Sequence, residues 1–291
     1  MNRDRARGAL LGQATGDALG TTVEFLAEAE IARRFPSGPG ELVGGGPFGV
    51  LPGQVTDDTE LALTLARSLV ACGGYDPADA LARYRAWADS DPFDIGQTCA
   101  AAFQRGVPNP ASQANGALMR ASPLGIWGAG RSASVLAAAA TADARLSHPH
   151  PVCVAANVVF TRAIAFAVET GGDPAAVFAE AQKTAVEVGV FPLGERPADY
   201  QTHQGWVVIA LHNAFWQLRH AASFEAGVVD TVRRGGDTDT NAAIAGALLG
   251  AVYGESAIPT RWVDRVLGCE SPRPALYGCG DLRALVDGLA R

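Results

Sequence analysis

The chain has 291 residues, of which 48% are hydrophobic and 18% are charged, and its formal net charge at pH 7 is -7. The hydrophobic share is ample for a large buried core, and the acidic balance argues against a nucleic-acid-binding surface. The five cysteines are widely scattered and form no Cys-x-x-Cys pair, so the sequence indicates neither a zinc site nor a disulfide framework.

Nothing in the sequence predicts export or membrane insertion. The N-terminus carries charged residues and then an apolar run broken by Asp17, which is not typical of a secretory signal. No run approaches the roughly 20 apolar residues of a membrane helix. We therefore expect a cytoplasmic protein, without a membrane or a stable nucleic-acid partner, and a monomer.

Helical patterns follow one another along the whole chain, and no repeat or linker interrupts them. Proline at the first helical position marks starts at Asp76-Pro77 and Asp173-Pro174, and glycine pairs at 73–74 and 171–172 mark ends. These features predict a single all-α domain over residues 1–291. Helices are predicted near 3–19, 59–72, 77–89, 95–105, 132–144, 151–169, 173–188, 204–220, 223–233, 241–254, 259–268 and 281–290.

The first predicted helix ends in a loop that contains two carboxylates. Asp17 lies in Gly16-Asp17-Ala18-Leu19-Gly20, and we expect it to accept hydrogen bonds from nearby backbone N–H groups. Glu24 follows one loop later, beside an aromatic residue and two small hydroxyls. It is a better candidate than Asp17 for general acid–base chemistry.

A glycine-rich loop leads into a cluster of acids and threonines. The backbone of Gly44-Gly45-Gly46-Pro47 can approach phosphate oxygens, although such loops are often only loops. Thr56-Asp57-Asp58-Thr59 then opens an apolar helix. Asp57 with Glu60 three residues on is typical of a capping box, which needs no metal.

Two more loops carry polar residues whose role, structural or functional, the sequence leaves open. Asp94 lies in Asp94-Ile95-Gly96-Gln97-Thr98, where a plain helix N-cap is the simplest explanation. Asn115-Gly116-Ala117-Leu118-Met119-Arg120 suits an anion, but a surface turn accounts for the pattern equally well.

A histidine pair and a tryptophan complete the candidates in the middle of the chain. Ser147-His148-Pro149-His150-Pro151 begins a long helix, and with no further His or Cys nearby we favour hydrogen bonding or stacking over metal ligation. Trp206 has a helical position that favours the core, and a stacking face for a base is the alternative.

The strongest signal lies at Arg233-Arg234-Gly235-Gly236-Asp237-Thr238-Asp239-Thr240-Asn241, directly before an apolar helix. Two glycines allow a sharp turn before the acids, and a capping role suits either acid taken singly. Capping leaves the second Asp and the second Thr of each cluster unexplained, however. Carboxylates and hydroxyls crowded together favour a hard divalent cation bound through oxygen. The two clusters can face each other across a site for two metals.

These motifs, in this order, resemble the ADP-ribosylglycohydrolases, and most of all the branch that acts on dinitrogen reductase. The resemblance spans residues near 8 to 254. The paired Thr-Asp-Asp-Thr and Gly-Asp-Thr-Asp-Thr motifs are specific only in combination. The resemblance implies a compact orthogonal multi-helix bundle with a binuclear Mg²⁺ or Mn²⁺ cleft. It also implies hydrolysis of the bond between ADP-ribose and an acceptor, for which the branch favours a modified arginine of a protein.

The resemblance also implies a role for particular residues. Glu24 and Asp94 are the implied catalytic acids. The implied metal ligands are Thr56, Asp57, Asp58, Asp237, Asp239 and Thr240. The implied substrate contacts are Gly45, Gly46, Asn115, Gly116, Met119 and Arg120 at the diphosphate and ribose, and His148 and Trp206 at the nucleotide end.

Breaking a glycosidic C–N bond passes through an oxocarbenium-like state, which two metals and nearby carboxylates can stabilise. Serine-, nucleobase- and small-molecule-linked ADP-ribose stay open as substrates. A metal-dependent phosphohydrolase and a non-catalytic ADP-ribose-binding or structural protein are the rival functions. The apolar stretch Val207-Val208-Ile209-Ala210 and Ser147, where threonine is common, depart from the family pattern.

Overall fold

Helices form almost all of the regular structure in residues 1–189 and 192–290, which the computed structural model describes. Within those ranges there is no β-strand, only three isolated bridges, so the predicted all-α class is confirmed. The α-helices are α1 (Arg3–Gly20), α2 (Glu28–Arg34), α3 (Asp57–Cys72), α4 (Pro77–Ala88), α5 (Gln97–Phe103), α6 (Ser122–Gly128), α7 (Ala133–Arg145), α8 (Pro151–Thr170), α9 (Pro174–Glu187), α10 (Val207–His220), α11 (Phe224–Arg233), α12 (Thr238–Tyr253), α13 (Thr260–Leu267) and α14 (Leu282–Leu289). Short 3-10 helices lie at Thr21–Val23, Glu255–Ala257 and Ala275–Tyr277.

The helix starts and ends that proline and glycine predicted are confirmed. Asp76 and Asp173 are N-caps whose side chains accept backbone N–H bonds, and each is followed by proline at the first helical position. Gly73 and Gly171 end α3 and α8 in the left-handed conformation, with φ of 66° and 101°. Local chemistry therefore sets these boundaries.

The differences from prediction occur mainly at short helices and at the starts of longer ones. Helices α2 and α6 were not predicted; each has seven residues, too few for a clear helical period. Helix α10 begins at Val207 rather than 204, because the residues before it form turns. Helices α3 and α12 begin earlier than predicted, so each acidic cluster spans the N-cap position and the first helical turn.

A stripe of glycines brings α1 and α12 together at the centre of the molecule. Gly8, Gly12, Gly16 and Gly20 lie four residues apart on α1, and a Cβ added at any of them would lie 2.1–2.4 Å from a backbone oxygen of α12. Every residue of α12 except Tyr253 is buried. Because α12 begins with the second acidic motif, this contact sets the position of that motif relative to the end of α1.

Helix α8 has the length and apolar composition of a membrane helix, which the sequence was not expected to contain. It has 20 residues and a mean hydropathy of 1.8 in its most apolar 18-residue window, which by length and composition suffices to cross a membrane. However, 67% of that window is buried inside the protein, which is typical of a core helix.

Candidate active site: an acidic cavity at two helix starts

The two acidic motifs meet at the floor of a cavity of about 440 Å³. Its walls come from the loop after α1, the starts of α3 and α12, the segment before α5, and the loops before α6, α8 and α10. It is lined by Glu24, Phe25, Asp57, Asp94, Gly96, Gln97, Thr98, Cys99, Ala114, Asn115, Gly116, Met119, His148, Gln204, Gly205, Asp237, Asp239 and Thr240. Five of these described lining residues are acidic and none is Lys or Arg.

Three carboxylates come closest together. Glu24, Asp237 and Asp239 each offer an oxygen atom, and these oxygens lie within 4.8 Å of one another. The sequence assigned Glu24 to catalysis and the other two to metal binding, whereas the structure places all three in one cluster. Three acids at this spacing are suited to a divalent cation.

Asp58 joins the two motifs across the helices. Its Oδ2 accepts hydrogen bonds from the hydroxyls of Thr56 and Thr240, each at 3.2 Å, one from either motif. Asp57 lines the cavity next to it and accepts a long bond of 3.4 Å from the backbone N–H of Gly96. Chain segments about 180 residues apart are thus brought into direct contact, as the paired motifs predicted.

Asp17 supports this arrangement from behind. Its carboxylate accepts bonds of 3.1 Å from the backbone N–H groups of Thr56 and Thr59, and its Oδ1 lies 3.1 Å from the Thr56 hydroxyl, whose single proton it shares with Asp58. Asp17 does bond backbone N–H groups, but the prediction that these are nearby in the chain is wrong, because the donors lie 39 and 42 residues away. Asp17 lies within α1 and its donors at the start of α3, so it fixes the start of α3 against α1.

Capping does not explain the acids. Asp237 occupies the N-cap position of α12 but its side chain makes no capping bond; its Oδ2 accepts from Asn115 Nδ2 at 2.7 Å. The capping box at Asp57 is also wrong. The carboxylate of Glu60 instead accepts from Trp87 Nε1 at 2.7 Å and from the guanidinium of Arg273 at 3.0 Å.

Burial raises the pKa values of the clustered acids. It raises the pKa of Glu24 to about 9, with the negative charges of Asp94, Asp237 and Asp17 contributing further. The pKa of Asp94 rises to about 6, from burial and then the charge of Asp237. The pKa values of Asp57, Asp58 and Asp239 also lie well above the ordinary range, chiefly because of burial.

Two carboxylate oxygens of the cluster have no partner among the described residues. Asp58 Oδ1 and Glu24 Oε2 are buried and accept no hydrogen bond. Buried acceptors without donors are costly, and a cation among all-oxygen donors satisfies them. The residues present therefore fit a hard divalent ion.

Asp94 and the loop before α6 form the walls. Asp94 is not an N-cap, because α5 is capped at Gly96 without a side-chain bond; it faces the cavity instead. Asn115 is only 7% exposed, so the surface-turn interpretation is wrong. Gly116 and Met119 also line the cavity.

Four of the eight residues assigned to substrate do not line this cavity: Arg120, Gly45 and Gly46, and Trp206, which lines an adjoining groove. The side chain of Arg120 is fully buried behind the cavity and bonds Asp143. Gly45 pairs with Val50, and Gly46 packs on the backbone of Thr21, where an added Cβ would lie 2.0 Å from the carbonyl oxygen. Their contact with substrate stays a prediction that this cavity does not support.

Comparison with known proteins now decides the family. The family model described as ADP-ribosylglycohydrolase matches residues 1–291. The chain belongs to the ADP-ribosylglycohydrolase family. It is an enzyme that hydrolyses glycosidic bonds of ADP-ribose.

Individual relatives agree with this assignment. An ADP-ribosyl-[dinitrogen reductase] glycohydrolase of Rhodospirillum rubrum is 34% identical over 275 residues, 90% of each chain. An ADP-ribosylarginine hydrolase Tri1 of Serratia proteamaculans is 30% identical over 91% of this chain and 75% of its own. A solved structure described as an ADP-ribosylglycohydrolase-related protein complex has a TM-score of 0.82 and 31% identity, and covers 99% of this chain and 98% of its own.

The two histidines of the segment before α8, His148 and His150, have different roles. His150 accepts from Val152 N–H at 3.2 Å and so caps α8. His148 is 1% exposed and lines the cavity. Trp206 is 39% exposed at the start of α10, so the core interpretation is wrong. It lines an adjoining groove with Gln204 and Gly205, both of which also line the cavity.

Sequence reasoning missed several lining residues of the glycohydrolase. Phe25 is the most informative: it is 51% exposed and has φ of +65°, which is rare without glycine. Its N–H bonds Gly236 O at 2.8 Å, so the segment after Glu24 is tied to the turn before Asp237. The signal in the sequence was only its place beside Glu24.

Proposed function

We propose that the protein is a metal-dependent hydrolase that releases ADP-ribose from an ADP-ribosylated arginine of another protein. The observation that carries this is the buried cluster of Glu24, Asp237 and Asp239 in an acidic cavity. Such a cluster suits stabilisation of a sugar that becomes cationic as its glycosidic bond breaks.

Two Mg²⁺ or Mn²⁺ ions are the proposed cofactors, because every candidate ligand is an oxygen. Their proposed ligands are Thr56, Asp57, Asp58, Asp237, Asp239 and Thr240. The position of Glu24 adds its carboxylate to the same cluster. Bound ions would neutralise the acids and polarise oxygens of the ribose and of water.

The remaining chemistry needs carboxylates at the reacting carbon. The oxygen of a water molecule bonds to the anomeric carbon as the bond to the guanidine nitrogen breaks, and the proton lost by the water ends on the leaving guanidine. Glu24 and Asp94 both face the cavity and are the groups able to hold that proton. Asn115 orients the cluster by donating to Asp237 at 2.7 Å.

Arginine as the acceptor is supported by charge and by the relatives. The formal net charge of the protein is -7, which favours a guanidinium acceptor over a polyanionic nucleic acid. Relatives from Serratia proteamaculans and Pseudomonas putida, 30% and 32% identical, are named ADP-ribosylarginine hydrolases.

A substrate panel tests the acceptor. Arginine-, serine- and nucleobase-linked ADP-ribose are incubated with enzyme and Mg²⁺ or Mn²⁺, and free ADP-ribose is quantified. We expect the arginine-linked substrate to be cleaved fastest. Faster cleavage of a serine- or base-linked substrate would show that the acceptor is wrong, release of phosphate would favour a phosphohydrolase, and binding without turnover would favour a binding protein.

The metal centre is tested separately. Asp58→Ala and Asp237→Ala should each abolish turnover and metal binding while the circular dichroism of the helices is kept. Surface Asp264→Ala serves as the matched control. Full activity in excess chelator, or tightly held zinc, would refute the metal assignment without bearing on the acceptor.

A further inference from the structure

Arg120 lies at the centre of a buried polar network behind the cavity. Its guanidinium donates to Asp143 Oδ2 at 3.1 Å and to Asp143 O at 2.9 Å. It also donates to Gly116 O and to the hydroxyl of Ser147, both at 2.9 Å. Arg120 is 0% exposed and Asp143 is 1% exposed, so this network is shielded from solvent.

The contacts around Ser147 leave one arrangement in which its hydroxyl proton has an acceptor. An arginine can only donate, so Ser147 Oγ must accept from Arg120. Ser147 Oγ lies 2.8 Å from Nδ1 of His148 and has a single proton to give. Donating that proton to His148 makes Nδ1 an acceptor, and the ring proton then resides on Nε2.

The Nε2 atom of His148 is the end of this chain of bonds. It is buried and has no hydrogen-bond partner among the described residues, and His148 lines the cavity. A Cβ added at Gly116 would lie 3.0 Å from the Cε1 atom and 3.2 Å from Nε2, so the absence of a side chain at Gly116 leaves this edge of the ring uncovered by a Cβ. An unpaired buried N–H facing a cavity is a place for a ligand oxygen.

We propose that Arg120 and Ser147 are positioning residues that hold His148 as the Nε2–H tautomer, which donates a hydrogen bond to an oxygen of the bound ADP-ribose. The identity of the ligand rests on the proposed function. The tautomer rests only on the contacts around Ser147.

Charge explains why a neutral donor suits this place. No described residue lining the cavity is a lysine or arginine, although ADP-ribose carries a diphosphate. Burial, and then the charge of Arg120, lower the pKa of His148 to about 3, so the ring stays neutral near pH 7. The positive charge of Arg120 acts through Ser147 and polarises the imidazole without entering the acidic cavity.

Nitrogen NMR of the histidines tests the tautomer directly. The protein has five histidines, and His148→Asn assigns the signal of interest. In the wild type at pH 7 we expect a protonated Nε2 and an unprotonated Nδ1. Ser147→Ala should shift the ring toward a mixture of tautomers, and Ser147→Thr should restore the wild-type pattern. A wild-type ring protonated on Nδ1, or on both nitrogens, would overturn the proposal.

Affinity for ADP-ribose, measured by calorimetry with Mg²⁺ present, tests the consequence. Loss of one hydrogen bond should weaken binding by about three- to tenfold in Ser147→Ala, with recovery in Ser147→Thr. In a His148→Ala background, Ser147→Ala should have no further effect. Ser223→Ala, which removes a distant helix cap, should leave both affinity and tautomer unchanged.

The outcomes separate this proposal from the proposed function. Additive effects of the two alanine variants, or unchanged affinity in Ser147→Ala, would overturn the role of Ser147 even if arginine-linked ADP-ribose is hydrolysed. A wild type with the expected tautomer but no affinity for ADP-ribose would overturn the ligand assignment and the proposed function together.

Discussion

The contact between α1 and α12 predicts that two similar glycine substitutions differ in their effect on activity. A Cβ at Gly8 would lie 2.3 Å from Gly250 O, at the end of α12 remote from the cavity. A Cβ at Gly20 would lie 2.4 Å from Thr238 O and 2.5 Å from the backbone N of Asp239. The steric conflict is nearly equal, but only Gly20 presses on a cluster acid.

The expected magnitudes follow from the distances. Reaching an ordinary contact of 3.4 Å requires either backbone to move by about 1 Å. Overpacking of this kind costs about 1–3 kcal/mol, and the better helix propensity of alanine offsets up to about 1 kcal/mol. Both variants should therefore unfold more easily. A 1 Å misplacement of a reacting group costs about 10²-fold in rate, so Gly20→Ala alone should lose activity on that scale.

Denaturant unfolding and the release of ADP-ribose from an arginine-linked substrate measure the two effects. Gly280→Ala is the control, because nothing lies within 4 Å of its added Cβ. Equal losses of activity in Gly8→Ala and Gly20→Ala, or full stability in both, would show that this contact does not position the acids.

Three further predictions concern carboxylates. Glu24→Gln at saturating Mn²⁺ should lower turnover by about 10²-fold or more with a much smaller change in ADP-ribose affinity; unimpaired turnover removes Glu24 from the chemistry. In chelator, the unfolding free energy should fall as pH rises from about 4 toward 9, because the pKa of Glu24 is raised to about 9 and the folded state retains a proton that the unfolded state has lost. Excess Mg²⁺ should reverse that slope in thermal melts. A stability that does not change with pH in chelator would contradict this prediction. Arg273→Ala leaves the buried carboxylate of Glu60, whose side chain is 3% exposed, without its charged partner. The free energy of unfolding in chemical denaturation should fall by about 3–5 kcal/mol, and adding Glu60→Gln should recover part of that loss.

The sequence predicted features that depend on neighbouring residues. Proline and aspartate at the starts of α4 and α9 act within one helical turn, so these helix starts could be predicted from the neighbouring residues alone. The two acid–threonine motifs were also recognisable, because a single cap cannot account for two acids and two hydroxyls. Their meeting at Asp58 followed from the motifs as a pair.

Features that depend on distant partners could not be predicted. Glu60 matched a capping box, but its actual partner Arg273 lies 213 residues away. Arg120 matched an anion contact in the sequence, but its partner Asp143 lies in α7, 23 residues further along the chain. The four-residue glycine spacing of α1 was visible in the sequence, but what each glycine must approach is known only once α12 is in place.

The placement of the acids also shows what the helix starts can and cannot do. Asp57, Asp58 and Asp239 all lie in the first turns of α3 and α12, where the positive end of a helix favours a carboxylate by about 0.3–1 kcal/mol. Burial nevertheless raises the pKa values of all three well above the ordinary range, so desolvation outweighs the helix dipole. The helix starts therefore orient the acids without supplying the charge that lets them ionise together. In the proposed function that charge comes from bound divalent cations, and the packing of α1 on α12 holds the acids in position for them.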